Sequence, residues 1–368
     1  MHFKTILLDK IKKSLYNNFG EENFDHYRFD FDKYIKYTPI LSIKTAIKKV
    51  IGYNSETESN RVIKKIDYKL NQLNEVYNIL QPESRILFTN IVAYRLLGSK
   101  KIKINGQAKN YLNRVQNAPI VKASNKTILN SFLNTTLEHL KFNFNDQPIE
   151  LFFSKGGIVV DFLIEQYALK LNNGSKIEAE KNDTVLDIGG CWGDTAVYFA
   201  SKVGNKGKVF SFEFIPGNIA NHKINCDLNS NLTNIIKLIP NPVSDESNVP
   251  VYFQDNGPAS KIEFKPFTEQ TGETNTLSID DFFEANKLET VDFIKMDIEG
   301  AELSALKGGI NTIKKYKPKL AIAVYHNNWD DLINIPIYLN SLGLNYEFYL
   351  GHFTIHNEET ILFAKPIK

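Results

Sequence analysis

Asp187, three glycines (Gly189, Gly190 and Gly193) and Glu213 have the residue types and spacing with which a chain can hold a nucleoside. They lie in TVLDIGGCWGDTAVYFASKVGNKGKVFSFEFIPGNIANHKIN, which starts at Thr184. Val185 and Leu186 read as a buried parallel strand ending at Asp187, and Asp194 or Thr195 suits the N-cap of the helix that follows. A second strand, Val209 to Phe212, delivers Glu213 at its carboxyl end, about 20 residues past the glycines, where a carboxylate can accept hydrogen bonds from ribose hydroxyls. A dinucleotide fold uses GxGxxG to hold a pyrophosphate on a helix N-terminus. Here the glycines run D-x-G-G-x-x-G. An acid at Asp187 repels a pyrophosphate and suits the cationic amino group of S-adenosylmethionine. A glycine-rich turn with no ligand is the bland alternative, and Glu213 at the ribose distance speaks against it.

A second reactive constellation is VDFIKMDIEGAELSALKGG, Val291 to Gly309. Val291 to Met296 reads as another buried strand, with a helix opening at Ala301 and running to about Lys315. Strand alternation relates Lys295, Asp297 and Glu299 by face, and open α/β sheets bind ligands at the carboxyl edge, where the two acids fall. Charges on an apolar strand are costly unless paired or used. The structural alternative is a buried Lys295–Asp297 pair, with Glu299 and Glu302 merely favouring the helix start.

With both segments in view, the chain resembles the FkbM family of S-adenosylmethionine-dependent methyltransferases. The matching stretches are LDIGGCWGDTAVYFA, GKVFSFEFIPGNIANHKINCDLN, Leu277 to Asp281, FIKMDIEGAELSALKGG, and Lys317 to His326. The resemblance covers roughly Phe152 to Pro366. It departs at Pro242, where the family more often has Ala, and at Cys191-Trp192, where Asn- or Ala-like residues are commoner.

The resemblance implies an α/β fold: a Rossmann-like class I methyltransferase sheet of seven strands with a C-terminal antiparallel strand, spanning 151–368. It implies a cofactor site formed by Asp187, Gly189, Gly190, Trp192, Gly193, Asp194, Thr195, Glu213, Phe214 and Asn218. Asn241 and Val243 are expected on the adenine side, and Gln166, with Tyr167, over the methionine end. It also implies O-methylation of a hydroxyl, on a sugar in a glycan or its precursor, with a small-molecule or lipid alcohol as the alternative acceptor. A scaffold protein that kept the fold without catalysis is the reading from another class.

A sulfonium is already a strong methyl donor, so the residues have to align an acceptor oxygen and remove its proton. Asp297 ranks first as the base, with Glu299 and His326 as alternatives, and Lys295 can stabilise developing alkoxide charge. Asp297, Glu299 and His326 can also ligate a divalent ion. Their spacing is no clear ligand pattern, so a metal-free site is preferred.

These groups need a sheet to carry them. Asn234 to Leu238 fits the third strand and Leu320 to Val324 the one before His326. Val249 to Phe253 and Ala259 to Phe264 read as an inserted hairpin over the acceptor side. Tyr346 to Leu350 and Thr360 to Ala364 close the sheet, with His352 and His356 solvated in their turn. Residues 1–150 read as a helical accessory region that selects the acceptor, builds a homo-oligomer or tethers the enzyme. Phe3, Ile6, Leu7, Ile11 and Leu15 recur at helical spacing. Tyr53 to Asn60 reads as a polar break, Val62 to Leu80 as one long helix, and Pro82 to Leu97 as another, closed by Gly98.

Bulk composition agrees. The 368 residues suit one catalytic domain plus a smaller one, and a net charge of +2 gives no field for nucleic acid. No basic, aromatic-interleaved patch suggests RNA. No apolar run is long enough to span a membrane. Two cysteines, Cys191 and Cys226, form no disulfide framework and fit a reducing, cytoplasmic compartment.

Overall fold

The computed structural model describes residues 2–26, 55–129, 136–258 and 260–367. By internal contacts the chain divides into two units: Met1–Asn113 with Phe348–Thr360, and Arg114–Glu347 with Ile361–Lys368.

The first unit is built on helices α1 (His2–Ser14), α2 (Ser55–Lys64), α3 (Leu70–Ile79) and α4 (Pro82–Leu97). Phe3, Leu7 and Ile11 of α1 are fully buried, as their one-face spacing requires. The Phe3 ring lies 5.1 Å from both Tyr77 and Phe88. Pro82 starts α4 and Gly98, at φ 78°, ends it. Two expectations change. The long helix from Val62 is interrupted at Asp67–Lys69 by a 3₁₀ turn. The polar stretch before it is largely helix α2, with Glu56 and Glu58 in its first turn, where acids favour a helix N-terminus; Tyr53 and Asn54 lie outside the described residues. His352 and His356 are buried rather than solvated.

The expected helical region through residue 150 is corrected by three antiparallel strands, β1 (Val121–Leu129), β2 (Thr136–Phe144) and β3 (Gln147–Phe153). Leu137, Phe142, Phe144, Ile149 and Leu151 are buried, on strands that alternate only in part.

After a two-stranded ribbon of Leu169–Lys170 and Lys176–Ile177 come β4 (Thr184–Ile188), β5 (Lys208–Phe212), β6 (Ile236–Ile239), β7 (Pro250–Gln254), β8 (Lys261–Glu263), β9 (Gly272–Asn275), β10 (Phe293–Met296), β11 (Lys319–Ala323), β12 (Tyr346–His352) and β13 (Thr360–Pro366). Seven form one mixed sheet in the order β12-β13-β11-β10-β4-β5-β6. β4, β5, β6, β10 and β11 run parallel, and β13 is antiparallel to β11. Every residue of β4 and β10 is buried, which is why they read as near-continuous apolar runs. The expected hairpin is instead a three-stranded sheet, β8-β7-β9; Ala259, its expected second-strand start, lies outside the described residues.

Register places the charged residues. Lys295 of β10 sits directly opposite Asp187 of β4, and Ser211 of β5 opposite Asp187 on the other side. Four strands end at the same edge, followed by Gly189, Glu213, Asp297 and Tyr325-His326. The helix expected from Ala301 to Lys315 is two, α5 (Glu302–Gly308) and α6 (Ile310–Tyr316), divided at Gly309.

Candidate active site

Asp187 is fully buried. Its oxygens accept from Thr195 Oγ1 at 3.0 Å and Ser211 Oγ at 2.8 Å, and lie 3.2 Å from Lys295 Nζ. The Lys295 ammonium also donates to the Gly189 carbonyl and lies 5.4 Å from the Tyr167 ring centre. Burial alone would lower the Lys295 pKa, but Asp187, Asp297 and Asp194 raise it, so it stays charged. This corrects two expectations. Lys295 pairs with Asp187, not Asp297, and as a buried brace it is not presented to an acceptor alkoxide. Asp187 is held by the protein, between Thr195, Ser211 and Lys295.

The loop after Asp187 owes its path to glycine. Gly189 has φ 87°, and a Cβ there would run into the Asp297 carbonyl; a Cβ on Gly190 would strike Ser211 Oγ. Gly193, at φ 83°, is the N-cap of the helix Asp194–Val203. It takes the place expected of Asp194 or Thr195, because the chain must turn through the left-handed region there. Asp194 is buried, its Oδ1 has no hydrogen-bond partner, and desolvation raises its pKa to about 6. Asp161 hydrogen-bonds to it. Two acids therefore share buried ground beside the glycine loop.

At the end of β5, burial pushes Glu213 up to about 7. Its Oε1 accepts from the backbone N–H of Phe214 (2.7 Å) and Ile215 (2.8 Å), and its Oε2 from Asn218 Nδ2 (3.2 Å). Trp192 Nε1 donates to Asn218 Oδ1 at 3.0 Å. Trp192, Asn218 and Phe214 thus form the frame that orients Glu213. Asn241 and Val243 are engaged elsewhere on this edge: Asn241 Nδ2 donates to the Asn275 carbonyl, and Val243 bridges to Leu277.

Asp297 is gripped from two sides. Tyr167 donates to Oδ2 at 2.8 Å, and Tyr325 donates to both oxygens at 3.1 and 3.2 Å. Gln166 Nε2 donates to the Tyr167 hydroxyl at 3.0 Å, so Gln166 supports this grip. Burial would raise the Asp297 pKa, but His326, Lys295 and Tyr167 hold it down to about 2. His326 Nε2 lies 3.2 Å from Asp297 Oδ1 and 3.8 Å from Glu299 Oε1. Its Nδ1 is 2.9 Å from Glu302 Oε1. Burial would lower the His326 pKa, yet the flanking acids raise it to about 11. Glu299 is half exposed and sits at φ 57°.

Asp187, Lys295, Asp297, Glu299 and His326, all expected site residues, are joined by these contacts into one network. Glu302, expected only to favour a helix start, is fully buried against His326. Tyr325 and Asp161 were missed. For Tyr325 the available signal was its place beside His326 after a buried strand; for Asp161, an acid inside the apolar run IVVDFLI.

Residues 181–348 match the model of the methyltransferase FkbM domain. Over that segment, somewhat less than half of the chain, the family model agrees with the resemblance read from the sequence. Among solved structures, the chain is similar to methyltransferase FkbM from Methylobacillus flagellatus KT, at 17% identity and a TM-score of 0.51. That match covers 82% of this chain and 60% of that one, so the chain spans less than two thirds of its length; the likeness is one of fold. Fibrillarin from Aeropyrum pernix, in complex with natively bound S-adenosyl-L-methionine, is similar at 14% identity and a TM-score of 0.34, covering 51% of this chain and 68% of that one. No curated protein matches the chain. Among the described residues, no helix is long and apolar enough to cross a membrane.

Proposed function

We propose that the chain is an S-adenosylmethionine-dependent O-methyltransferase whose acceptor is a hydroxyl of a sugar in a glycan or its precursor. The observation that carries the cofactor is the buried negative charge at the glycine loop. Asp161 and Asp194 face each other there, and Asp194 Oδ1 has no partner. A pyrophosphate is repelled by such a wall, whereas the ammonium of a methionine moiety satisfies it. Glu213 then faces the ribose, with Trp192 and Asn218 fixing its carboxylate, and Asn241 and Val243 border the adenine. The sugar acceptor rests on the family resemblance.

Bound S-adenosylmethionine supplies a methyl group already activated by its sulfonium. Asp297 is placed to accept the hydroxyl hydrogen bond of the acceptor and to hold its oxygen in line with the methyl–sulfur bond. The Tyr167 and Tyr325 phenols keep that carboxylate in one rotamer. As the oxygen–carbon bond forms and the carbon–sulfur bond breaks, the hydroxyl proton passes to the acid cluster and a neutral thioether leaves.

Calorimetry with S-adenosylmethionine and S-adenosylhomocysteine, using NAD as the control, tests the cofactor. The expected result is binding of the first two, weakened by Glu213→Ala, with NAD silent. Heat from NAD alone overturns the reading. Transfer of labelled methyl to a sugar panel tests the acceptor, and labelling only of non-sugar alcohols would remove the glycan part.

A further inference from the structure

The helix Pro216–Leu228 carries Asn218, and its first turn is capped from another element. Ile215, at the N-cap, makes no side-chain hydrogen bond to it. Asp255, the residue after β7, supplies one instead: its Oδ2 accepts from the Gly217 N–H at 3.0 Å. A Cβ on Gly217 would lie 2.8 Å from that oxygen, so glycine leaves the carboxylate its room. The other oxygen, Oδ1, accepts from the Gly257 N–H at 3.3 Å and holds the turn that leaves β7. A carboxylate in this place satisfies an N–H that the helix cannot and complements its dipole.

The same turn reaches the site directly. Asn218 is buried, and its Nδ2 donates both to Glu213 Oε2 at 3.2 Å and to the Gly257 carbonyl at 3.4 Å. The Trp192 indole only donates, so the Asn218 amide must turn its oxygen to Trp192. That fixes the amide, with one hydrogen for Glu213 and one for Gly257. Phe253 of β7 also meets Phe214 edge-on, with ring centres 5.6 Å apart. The sheet β8-β7-β9 thus touches the frame of Glu213 at Gly217, Asn218 and Phe214.

We infer that Asp255 is a positioning residue for the methyl donor's ribose, acting on Glu213 through the start of the helix and the Asn218 amide. This deepens the proposed function and rests on it for the identity of the ligand. Without Asp255 the first helical turn frays and the Asn218 amide loosens. Donor binding must then restore that turn, so the apparent affinity falls with the fraction of molecules already ordered. Loss of one cap shifts such an equilibrium about fivefold. Methyl transfer from bound donor touches none of these groups, so the donor's KM rises while kcat holds. Asp280 is the matched control. Its oxygens accept from the Asn311 and Thr312 N–H groups at 3.1 and 2.8 Å, the same kind of cap on α6, which carries no site residue.

Calorimetry with S-adenosylhomocysteine on the full chain tests the inference, with circular dichroism to confirm that each variant is folded. Asp255→Ala should bind about fivefold more weakly, and Asp280→Ala as wild type does. In a Glu213→Ala background the same Asp255→Ala change should cost less than about twofold, because its route runs through Glu213. Equal losses in both backgrounds, or undiminished binding by folded Asp255→Ala, overturn the inference and leave the proposed function standing. Fluorescence of Trp192 reads the frame without any donor, once Trp329→Phe has removed the other of the chain's two tryptophans. Asp255→Ala should shift that emission and Asp280→Ala should not. An emission that Asp255→Ala leaves unmoved overturns the inference. Failure of wild type to bind S-adenosylhomocysteine sinks the proposed function, and Trp192 still decides whether Asp255 holds the frame.

Discussion

Replacing Asp194 by Asn should make the ligand-free protein more stable, increasingly so as pH rises from about 4 to about 6. Desolvation raises this carboxyl from its ordinary 3.8 to about 6. Between those values the folded state holds a proton that the unfolded chain has released, so stability falls as pH rises. Above pH 6 the full cost is present. The difference, at 1.36 kcal/mol per pH unit, is about 3 kcal/mol. Asn keeps the size and a hydrogen-bonding group without the charge. At roughly 2.1 cal/mol/K per residue, unfolding 368 residues carries an entropy near 0.8 kcal/mol/K, so 3 kcal/mol is about 4 °C. Thermal melts of wild type and Asp194→Asn at pH 8 and pH 4.5 provide the assay. The variant should melt about 4 °C higher at pH 8, with the gap falling to roughly a third of that at pH 4.5. The same substitution should weaken S-adenosylmethionine at least about tenfold, since the charge it removes is the one the ligand satisfies. A variant less stable than wild type at pH 8, or a gap independent of pH, refutes the claim that Asp194 is a strained buried charge.

Gly189→Ala, at φ 87° and with its Cβ driven into the Asp297 carbonyl, should cost at least about 2–3 kcal/mol, seen as a lower urea midpoint. Tyr167→Phe keeps a ring near Lys295 and removes one hydrogen bond to a charged group, worth about 1.5–3 kcal/mol; kcat should fall tenfold or more while the donor's KM holds. Lys295→Met leaves Asp187 buried and unpaired and should destabilise by about 3–5 kcal/mol, with Asp187→Asn/Lys295→Met melting higher than the single variant. His352 is pushed down to about 3, by burial and then by Arg95. Below pH 6.5 the unfolded chain therefore takes up a proton that the folded one refuses. At pH 5 this costs about 2 kcal/mol, and His352→Asn should flatten the acid side of a stability–pH curve by that amount.

The sheet was legible because its parallel strands are buried on both faces and announce themselves as apolar runs. Asp187 and Lys295 were legible as chemistry for the same reason, since a charge inside such a run is conspicuous. Their pairing was not, because it depends on register between strands more than 100 residues apart, and alternation along one strand carries no information about its neighbour. Glu302 was misjudged because an acid in the first turn of a helix already has a sufficient local explanation. The strands from Val121 to Phe153 were missed for a related reason: β1 is mostly exposed, and without a buried face it shows no period of two.

The composition of the first unit has a consequence for how the protein is made. Ser84 Oγ accepts from the Leu350 N–H, Gln81 N–H donates to the Phe348 carbonyl, and Gln107 bonds the backbone of His352. Helices made early thus depend on a segment translated about 235 residues after Asn113. At 5–20 residues per second, that is roughly 12–47 s of synthesis during which Ser84, Gln81 and Gln107 lack their partners. The strand that lies between β12 and β11 comes later still. Nascent chains therefore hold these polar groups of the N-terminal unit without their partners until translation has passed His352, and a ribosome stalled before that point holds an incomplete N-terminal unit.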